Sequence, residues 1–369
     1  MATAQVLATT YSEQSLKDMQ RWHNWFDAFV ANPANPVMGV TPKDVIWKRG
    51  EIQLYHYHPQ TERVSSVPYF IVPWLGISRP SVLDLLPGQS MIEFLVKRGH
   101  DVYMLDWGVV AAEDKHLGFD ELIGTILPKA IDRVLECAGA PDLTLNGICL
   151  GGVMSLIYLA LNPDAPVKNF VSIVTPVDFD QGGLLKAWVG NDTFPSDVLV
   201  EHYGGVPPGL MGLGFKMLRP TNDIAALSGL WFNLERRDYI PSYKAMQQWA
   251  NDFVGMPGRF FSQLAKELYG QNKLLNGAFR VKGRRVDLRS IHQPLLAVAA
   301  SHDNIVPPLA AQGLMHAVSS QDKEYLEVRG GHISVFAGRQ AYAVMWPKLD
   351  AWVTERSPGL PTTRALHTS

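Results

Sequence analysis

A six-residue run, Gly147-Ile148-Cys149-Leu150-Gly151-Gly152, sets a reactive thiol among residues that have almost no side chain. It follows a short apolar stretch of strand character, Leu143 to Leu145, and opens an apolar stretch of helical character, Val153 to Leu161. A strand that turns into a helix through a single nucleophile must bend sharply, so the residues two before and two after it have to be small. Gly147 and Gly151 meet that demand, and Gly152 adds clearance. A thiol at this turn sits at the start of a helix, whose dipole favours thiolate. A lone cysteine is commonly a buried packing residue, but the flanking glycines and the strand-to-helix context argue for a nucleophile. Cys137 is the contrast. It shares an apolar helical face with Ile123, Leu127, Ile131 and Val134, it ends a helix instead of opening one, and Leu135 stands two before it. It is expected to pack in the core.

A thiol needs a base, and the base needs an orienting group. After a nucleophile turn of this kind the chain order is nucleophile, acid, then His. Downstream of Cys149 lie His202, His292, His302, His316, His332 and His367. His332 follows Gly330-Gly331 and the last expected strand, so it can stand on a loop at that strand's end. His302 precedes its neighbouring Asp and breaks the order, and His316 sits at helical spacing. The acid is expected at Asp303, in Ser301-His302-Asp303-Asn304-Ile305-Val306-Pro307-Pro308, after the apolar run Leu295 to Ala300. An Asp ahead of a helix is also an ordinary cap or turn residue; order and location favour the catalytic role. An oxyanion would need two backbone donors. Leu150 supplies one by its place after the nucleophile, and the other is expected near Trp74 or Leu75.

The elements that must position these residues alternate between strand and helix. Ile52 to Tyr57, Tyr69 to Val72, Val102 to Leu105, Leu143 to Leu145, Phe170 to Val174, Leu295 to Ala299 and Glu324 to Val328 read as strands. Helical patterns cover Met91 to Lys97, beginning near Gln89, then Phe119 to Cys137, which Pro128 should kink or divide, Val153 to Leu161, and Ala341 to Arg356. Such alternation implies a mostly parallel sheet with helices on both faces. It fails from 177 to 285, a stretch rich in Gly, Pro and aromatic residues with helical patterns at Tyr243 to Asp252 and Phe260 to Tyr269. This stretch reads as an inserted cap. The α/β core is therefore expected at 46–176 and 286–356, with a flexible tail at 357–369. Residues 1–45 are expected to form an amphipathic helix and a linker. The helix spans 15 to 31 on Leu16, Met19, Trp22, Phe26, Phe29 and Val30, with a capping box at Ser15 and Asp18 and a stop at Asn32-Pro33.

Composition narrows the classes of function. The 369 residues are 47% hydrophobic and 18% charged, enough for a sizeable core. A net charge of -2 gives no general affinity for nucleic acid. Two cysteines make no disulfide framework and suggest reduced thiols in the cytoplasm. Met1 to Thr10 lacks the pattern of a signal peptide, and no apolar run reaches the roughly 18 residues of a membrane span. No metal-ligand spacing or phosphate-cradling loop occurs.

The nucleophile run resembles the lipase-like box of polyhydroxyalkanoate synthases, enzymes of the α/β-hydrolase fold. Further segments are similar to that family in the same order: Pro73-Trp74 with Arg79-Pro80-Ser81-Val82-Leu83-Asp84-Leu85, Asp101-Val102-Tyr103-Met104-Leu105-Asp106-Trp107-Gly108, Val174-Thr175-Pro176-Val177-Asp178-Phe179, Gln271-Asn272-Lys273-Leu274, Gly283-Arg284-Arg285-Val286-Asp287-Leu288 and Gly330-Gly331-His332-Ile333. The resemblance runs from about residue 45 to residue 356 and is loosest over 180 to 260. It puts the family's catalytic residues at Cys149, Asp303 and His332. It implies an acyltransferase that polymerises (R)-3-hydroxyacyl-CoA, commonly 3-hydroxybutyryl-CoA, through a Cys-bound thioester. The CoA thioester is then substrate, CoA is product, and no cofactor is needed.

The chain lacks the long N-terminal domain of the larger synthases and so resembles the short class III or class IV type. That implies a second subunit of PhaE or PhaR type, a homo- or hetero-oligomer, and a cytoplasmic place at the surface of polyester granules. Either His332 or Asp303 would activate the incoming hydroxyl. The cap aromatics Trp188, Trp231, Phe232, Trp249, Phe253, Phe260 and Phe261 would cover the site or form the cap's own core. The cluster Lys273, Arg280, Lys282, Arg284 and Arg285 would meet CoA phosphates or form a solvated hairpin. The helix face with Trp22, Trp25 and Phe26 would meet a partner or granule, or dock on the chain itself. The competing enzyme class is a cysteine hydrolase, such as a thioesterase or polyester depolymerase; a non-enzymatic scaffold is a third.

Overall fold

The structure, a computed structural model, describes residues 2–62, 64–110 and 112–357; the expected tail lies, apart from Ser357, outside the described residues. Eight strands build one sheet: β1 (Lys43–Arg49), β2 (Ile52–Tyr57), β3 (Tyr69–Val72), β4 (Val102–Asp106), β5 (Leu143–Ile148), β6 (Val167–Ile173), β7 (Leu295–Ala300) and β8 (Lys323–Val328). Their order across the sheet is β1-β2-β4-β3-β5-β6-β7-β8. β1, β2 and β4 pair antiparallel, and every pair from β4 to β8 is parallel. β3, β5 and β7 are buried along their whole length, as parallel strands covered on both faces require. β1 has no counterpart among the expected strands and straddles the expected 45/46 boundary. Its sequence KDVIWKR mixes charge with apolar residues and its burial is partial, which is how a sheet edge is kept from pairing further.

The helices used below are α1 (Ala2–Phe26), α2 (Met91–Lys97), α3 (Leu127–Ala138), α4 (Leu150–Leu161), α5 (Pro208–Leu218), α6 (Asn222–Asn233), α7 (Tyr239–Ala250) and α8 (Trp346–Arg356). α1 begins well before the expected residue 15, and a π turn, Asp27–Ala31, carries it to Asn32. Ser15 is therefore mid-helix and no capping box forms. The Asp18 carboxylate instead accepts from the side chains of Gln14 and Arg21, a use of the same i, i+3 and i+4 spacing on a helix surface. Ser90 does cap α2, accepting the Glu93 N–H at 2.9 Å. Pro128 divides its helix as expected: a π turn at Leu122–Ile126 precedes it, so the proline falls in the first turn of α3, where its missing N–H costs nothing. The same arrangement recurs at Pro347, behind the π turn Ala341–Met345. Cys137 is exposed, against the expectation of core packing. The buried stripe of α3 (Leu127, Ala130, Ile131 and Val134) ends before the last turn, which holds Cys137.

Between β6 and β7 the chain forms helices Gly183–Val189 and Ser196–Tyr203, then α5, α6 and α7, and then a helix at Gly258–Gln263 that passes into a π turn at Leu264–Gly270. Phe119 joins this region to the sheet layer, packing on Phe260 at 4.6 Å and on Phe279 at 5.1 Å. A separate apolar cluster of Leu230, Leu234 and Ile240 receives Ala28 and Phe29 from the N-terminal segment. The helix thus docks on its own chain, through Arg21, Asn24 and Phe29. Arg21 pairs with Glu235 at 2.7 Å, and the Asn24 amide donates to Leu234 O at 2.6 Å. The stripe Leu16, Met19, Trp22 and Phe26 is left exposed.

Candidate active site

β5 ends at Ile148 and α4 begins at Leu150, so Cys149 alone makes the turn, with φ 52° and ψ −120°. A residue with a side chain held there stores roughly 1–3 kcal/mol of backbone strain. The turn is held by the Cys149 N–H donating to Ile173 O at 2.9 Å and by Cys149 O accepting from the Val153 N–H at 3.1 Å. Close packing explains the glycines. A Cβ on Gly147 would lie 2.5 Å from the Gly152 Cα, one on Gly151 2.0 Å from Val72 O, and one on Gly152 1.9 Å from the Thr175 hydroxyl. Gly152 is thus a steric requirement set by Thr175, a residue far along the chain.

β7 and β8 lie side by side, and the loops after them carry Asp303 and His332. His302 N–H donates to Gly330 O at 2.8 Å and ties the two loops together. His332 Nδ1 meets Asp303 Oδ2 at 2.6 Å. Asp303 Oδ1 accepts from the N–H groups of Ile305 and Val306 at 2.8 and 2.9 Å. One carboxylate thus serves both as the turn residue and as the imidazole's partner, with one oxygen for each. With Nδ1 engaged, Nε2 is the ring nitrogen left for Cys149, which lines the same cavity. Burial alone would lower the imidazole pKa; the charges of Asp303 and Cys149 and the hydrogen bond to Asp303 outweigh it and hold it up at about 10. His202, His292, His302 and His316 are exposed, and His302 turns its Nδ1 to the Ser301 hydroxyl; His367 lies outside the described residues.

Cys149 and His332 open onto a cavity of about 620 Å³. Trp74 lines it from the sheet side, its indole N–H donating to Ser78 O at 2.8 Å. Leu75 is buried and is not part of the lining. The cap supplies the facing wall with Phe215, Leu218, Met246, Trp249 and Phe253, and with the polar Arg219, Asn222 and Asp223. Of the cap aromatics named from sequence, Trp249 and Phe253 reach the cavity, Phe260 and Phe261 sit in the core, Trp231 packs on Trp22, and Phe232 is exposed.

Sequence reasoning missed Arg219 and Met246, which lie where helical period carries no sign of what a helix faces. Tyr269 is buried against Phe179 and does not line the cavity; burial and the charges of Cys149 and Asp303 push its hydroxyl far above its ordinary range. The basic cluster makes its described bonds away from the cavity and is largely exposed. Arg284 donates to Leu161 O at the far end of α4, Arg285 to Gly277 O and Arg280 to Gly283 O, and Lys273 pairs with Glu267. None of them lines the cavity. Among the described residues no group of three or more His, Cys, Asp or Glu side chains could hold a metal ion, and no helix is long and apolar enough to cross a membrane.

Comparison with known proteins agrees in fold and identifies the family. Residues 80–338 match the family model of the alpha/beta hydrolase fold, and residues 28–95 match that of the poly-beta-hydroxybutyrate polymerase (PhaC) N-terminus. The chain is 34% identical to the poly(3-hydroxyalkanoate) polymerase subunit PhaC of Allochromatium vinosum, over 86% of this chain and 90% of that one. It is 30% identical to the protein of the same name from Synechocystis, over 86% of each. A third such relative, from Haloferax mediterranei, is 32% identical over 87% of this chain, which spans 65% of that protein's length. Among solved structures, the monoacylglycerol lipase of Paleococcus ferrophilus superposes with a TM-score of 0.53 at 18% identity, over 82% of this chain and 99% of that one. That likeness is one of fold.

Proposed function

The chain belongs to the poly(3-hydroxyalkanoate) polymerase family, on an α/β-hydrolase fold, and from that premise we propose that it is an acyltransferase joining (R)-3-hydroxyacyl units from coenzyme A thioesters into polyester. The observation that carries the reading is the Cys149 thiol at a strained turn, beside the His332–Asp303 pair, on the floor of a capped cavity. The thiol proton rests on His332, and the sulfur attacks the thioester carbonyl. Coenzyme A leaves as a thiol with that proton, and the acyl group stays on Cys149 as a thioester of similar energy. The hydroxyl of a second unit, or of the growing chain, then gives its proton to His332 and attacks that thioester, an ester bond forms, and the Cys149 sulfur departs beside the imidazolium.

His332 is the base in both halves. The Asp303 carboxylate faces the imidazole with one oxygen and two backbone N–H groups with the other, and its side chain is fully enclosed. It orients the ring and stabilises the imidazolium. The oxyanion is held by the Leu150 N–H, which as the first residue of α4 has no helical acceptor, and by a backbone N–H at Trp74 or Leu75. Support for that pairing is the contact of α4 with the loop after β3, where a Cβ on Gly151 would strike both Val72 O and Pro73 O. The cap keeps water from the acyl-enzyme. A second subunit of PhaE or PhaR type would sit on the exposed apolar stripe of α1 and its neighbours Ile224, Leu227 and Phe232 on α6, and the growing polymer would hold the enzyme at a granule surface.

The test is a product assay. The chain, with and without a partner subunit, is incubated with 3-hydroxybutyryl-CoA; insoluble polyester and coenzyme A are expected, and Cys149→Ala should lower coenzyme A release by more than about a thousandfold. Free 3-hydroxybutyrate with no polymer under either condition would make the chain a thioesterase instead.

A further inference from the structure

The N-terminal helix and the catalytic cavity hold opposite sides of one cap helix. α7 turns Ile240 and Lys244 toward the end of α1, where they line a smaller cavity of about 290 Å³ together with Asn24, Asp27 and Ala28. On a helix advancing about 100° per residue, Met246 stands about 200° around from Lys244. Met246, Trp249 and Ala250 line the cavity that contains Cys149.

Lys244 is an unusual residue to find there. It is 8% exposed, and its described partners are three backbone carbonyls: Ala28 O at 2.7 Å, Asn32 O at 2.9 Å and Ala34 O at 2.9 Å. An ammonium has three N–H donors, so each finds an acceptor. Ala28 and Asn32 belong to the last turn of the N-terminal helix, where carbonyls lack helical partners and the helix dipole is negative. The ammonium also stands 5.4 Å from the centre of the Phe29 ring. A buried cation is expensive unless it is satisfied in this way. Lys244 therefore caps the C-terminal end of the N-terminal helix from a distant part of the chain.

One turn further along, α7 reaches the reaction centre. Trp249 donates its indole N–H to Arg79 O at 2.9 Å and meets Trp74 edge-on at 6.3 Å. Ser242 donates to the Gln89 side chain at 2.9 Å. These bonds hold the inner side of α7, and Lys244 holds its outer side.

We propose that Lys244 is a positioning residue for the acyl-binding cavity. By tying the end of the N-terminal helix to α7, it fixes the wall of Met246, Trp249 and Ala250 over Cys149. The choice of substrate in the test rests on the polymerase reading; the geometry does not.

The experiment uses the full chain carrying Cys137→Ser, so that Cys149 is the one remaining cysteine, with and without Lys244→Met. The first readout is steady-state coenzyme A release from 3-hydroxybutyryl-CoA, per active site counted by the initial burst. Lys244→Met is expected to raise KM about tenfold and to change kcat less than about threefold, because the residue shapes a wall and touches no reacting atom. The second readout is the rate of Cys149 alkylation by N-phenylmaleimide divided by the rate with iodoacetamide. A loosened wall admits the bulkier reagent, and the ratio is expected to rise about fivefold or more. Lys244→Gln keeps two donors, should fall between, and serves if the methionine variant does not fold. A merely structural role would lower the melting temperature and the number of active sites, yet leave per-site KM and the alkylation ratio at parental values. That result overturns the proposal. If the parent chain releases no coenzyme A, the polymerase reading fails while the alkylation ratio still decides the role of Lys244.

Discussion

The nucleophile turn and the cap are built to opposite tolerances. Around Cys149, α4 is buried on every side, and three glycines are fixed by backbone or side-chain atoms within 2.5 Å of where a Cβ would stand. In the cap, α5 carries Gly214 with nothing within 4 Å of a Cβ position, and α6 exposes Ile224, Leu227 and Phe232. The difference separates two jobs. The thiol, the imidazole and the carboxylate need fixed distances, and a close-packed interior supplies them because it does not deform gradually. Under the proposed function, the facing wall would have to admit one acyl group after another and a growing chain. It is held by a few directed bonds, those of Lys244, Trp249 and Ser242.

The largest test of this contrast is at the rigid end. Asp303→Asn keeps the shape of the side chain but removes the charge beside the imidazole, and per-site coenzyme A release should fall by about a thousandfold or more. Stability should follow with a defined sign. The folded imidazole keeps its proton up to about pH 10, whereas the unfolded one loses it near pH 6.5. The pairing therefore contributes stability in full below about pH 6.5, and loses it as pH rises through about 10. The gap in melting temperature between the parent and Asp303→Asn should narrow across that window; a gap that stays constant would show that the ion pair is not its source.

Next in size is a pair of identical changes. Gly151→Ala forces a Cβ to 2.0 Å from Val72 O and should cost about 3 kcal/mol in denaturant unfolding, or prevent folding. Gly214→Ala, mid-helix and unobstructed, should instead stabilise by up to about 1 kcal/mol. Equal effects from the two would erase the distinction drawn between the regions. The smallest effect is expected at Phe232→Ser. Phe232 is 66% exposed, so unfolding of the lone chain should shift by no more than about 0.5 kcal/mol. Capture of a PhaE- or PhaR-type subunit in a pull-down should weaken severalfold, and undiminished capture would move the partner surface elsewhere.

What could be read directly from the residues was the part governed by neighbours in sequence. The glycine spacing around Cys149, the unbroken apolar runs of β3 and β7, and the division of a helix at Pro128 all follow from local sterics and period. The chain order of Cys149, Asp303 and His332 was visible because each stands just after a segment of strand character. Local pattern could not decide which way a surface faces. The stripe Leu16, Met19, Trp22 and Phe26 could have met a partner or docked on the chain itself; it is largely exposed, with Trp22 edge-on to Trp231, and the N-terminal segment docks through Arg21, Asn24 and Phe29. Cys137 looked buried by the same period and is exposed. β1 was hidden by its charges. Only tertiary structure set the 2.6 Å contact of His332 with Asp303, put Thr175 against Gly152, and brought Lys244 under three carbonyls at and just beyond the end of a helix far from it in sequence. Period fixes which side chains share a face, but the partner of that face is chosen by the free energy of the whole packed chain, to which residues hundreds of positions apart contribute together.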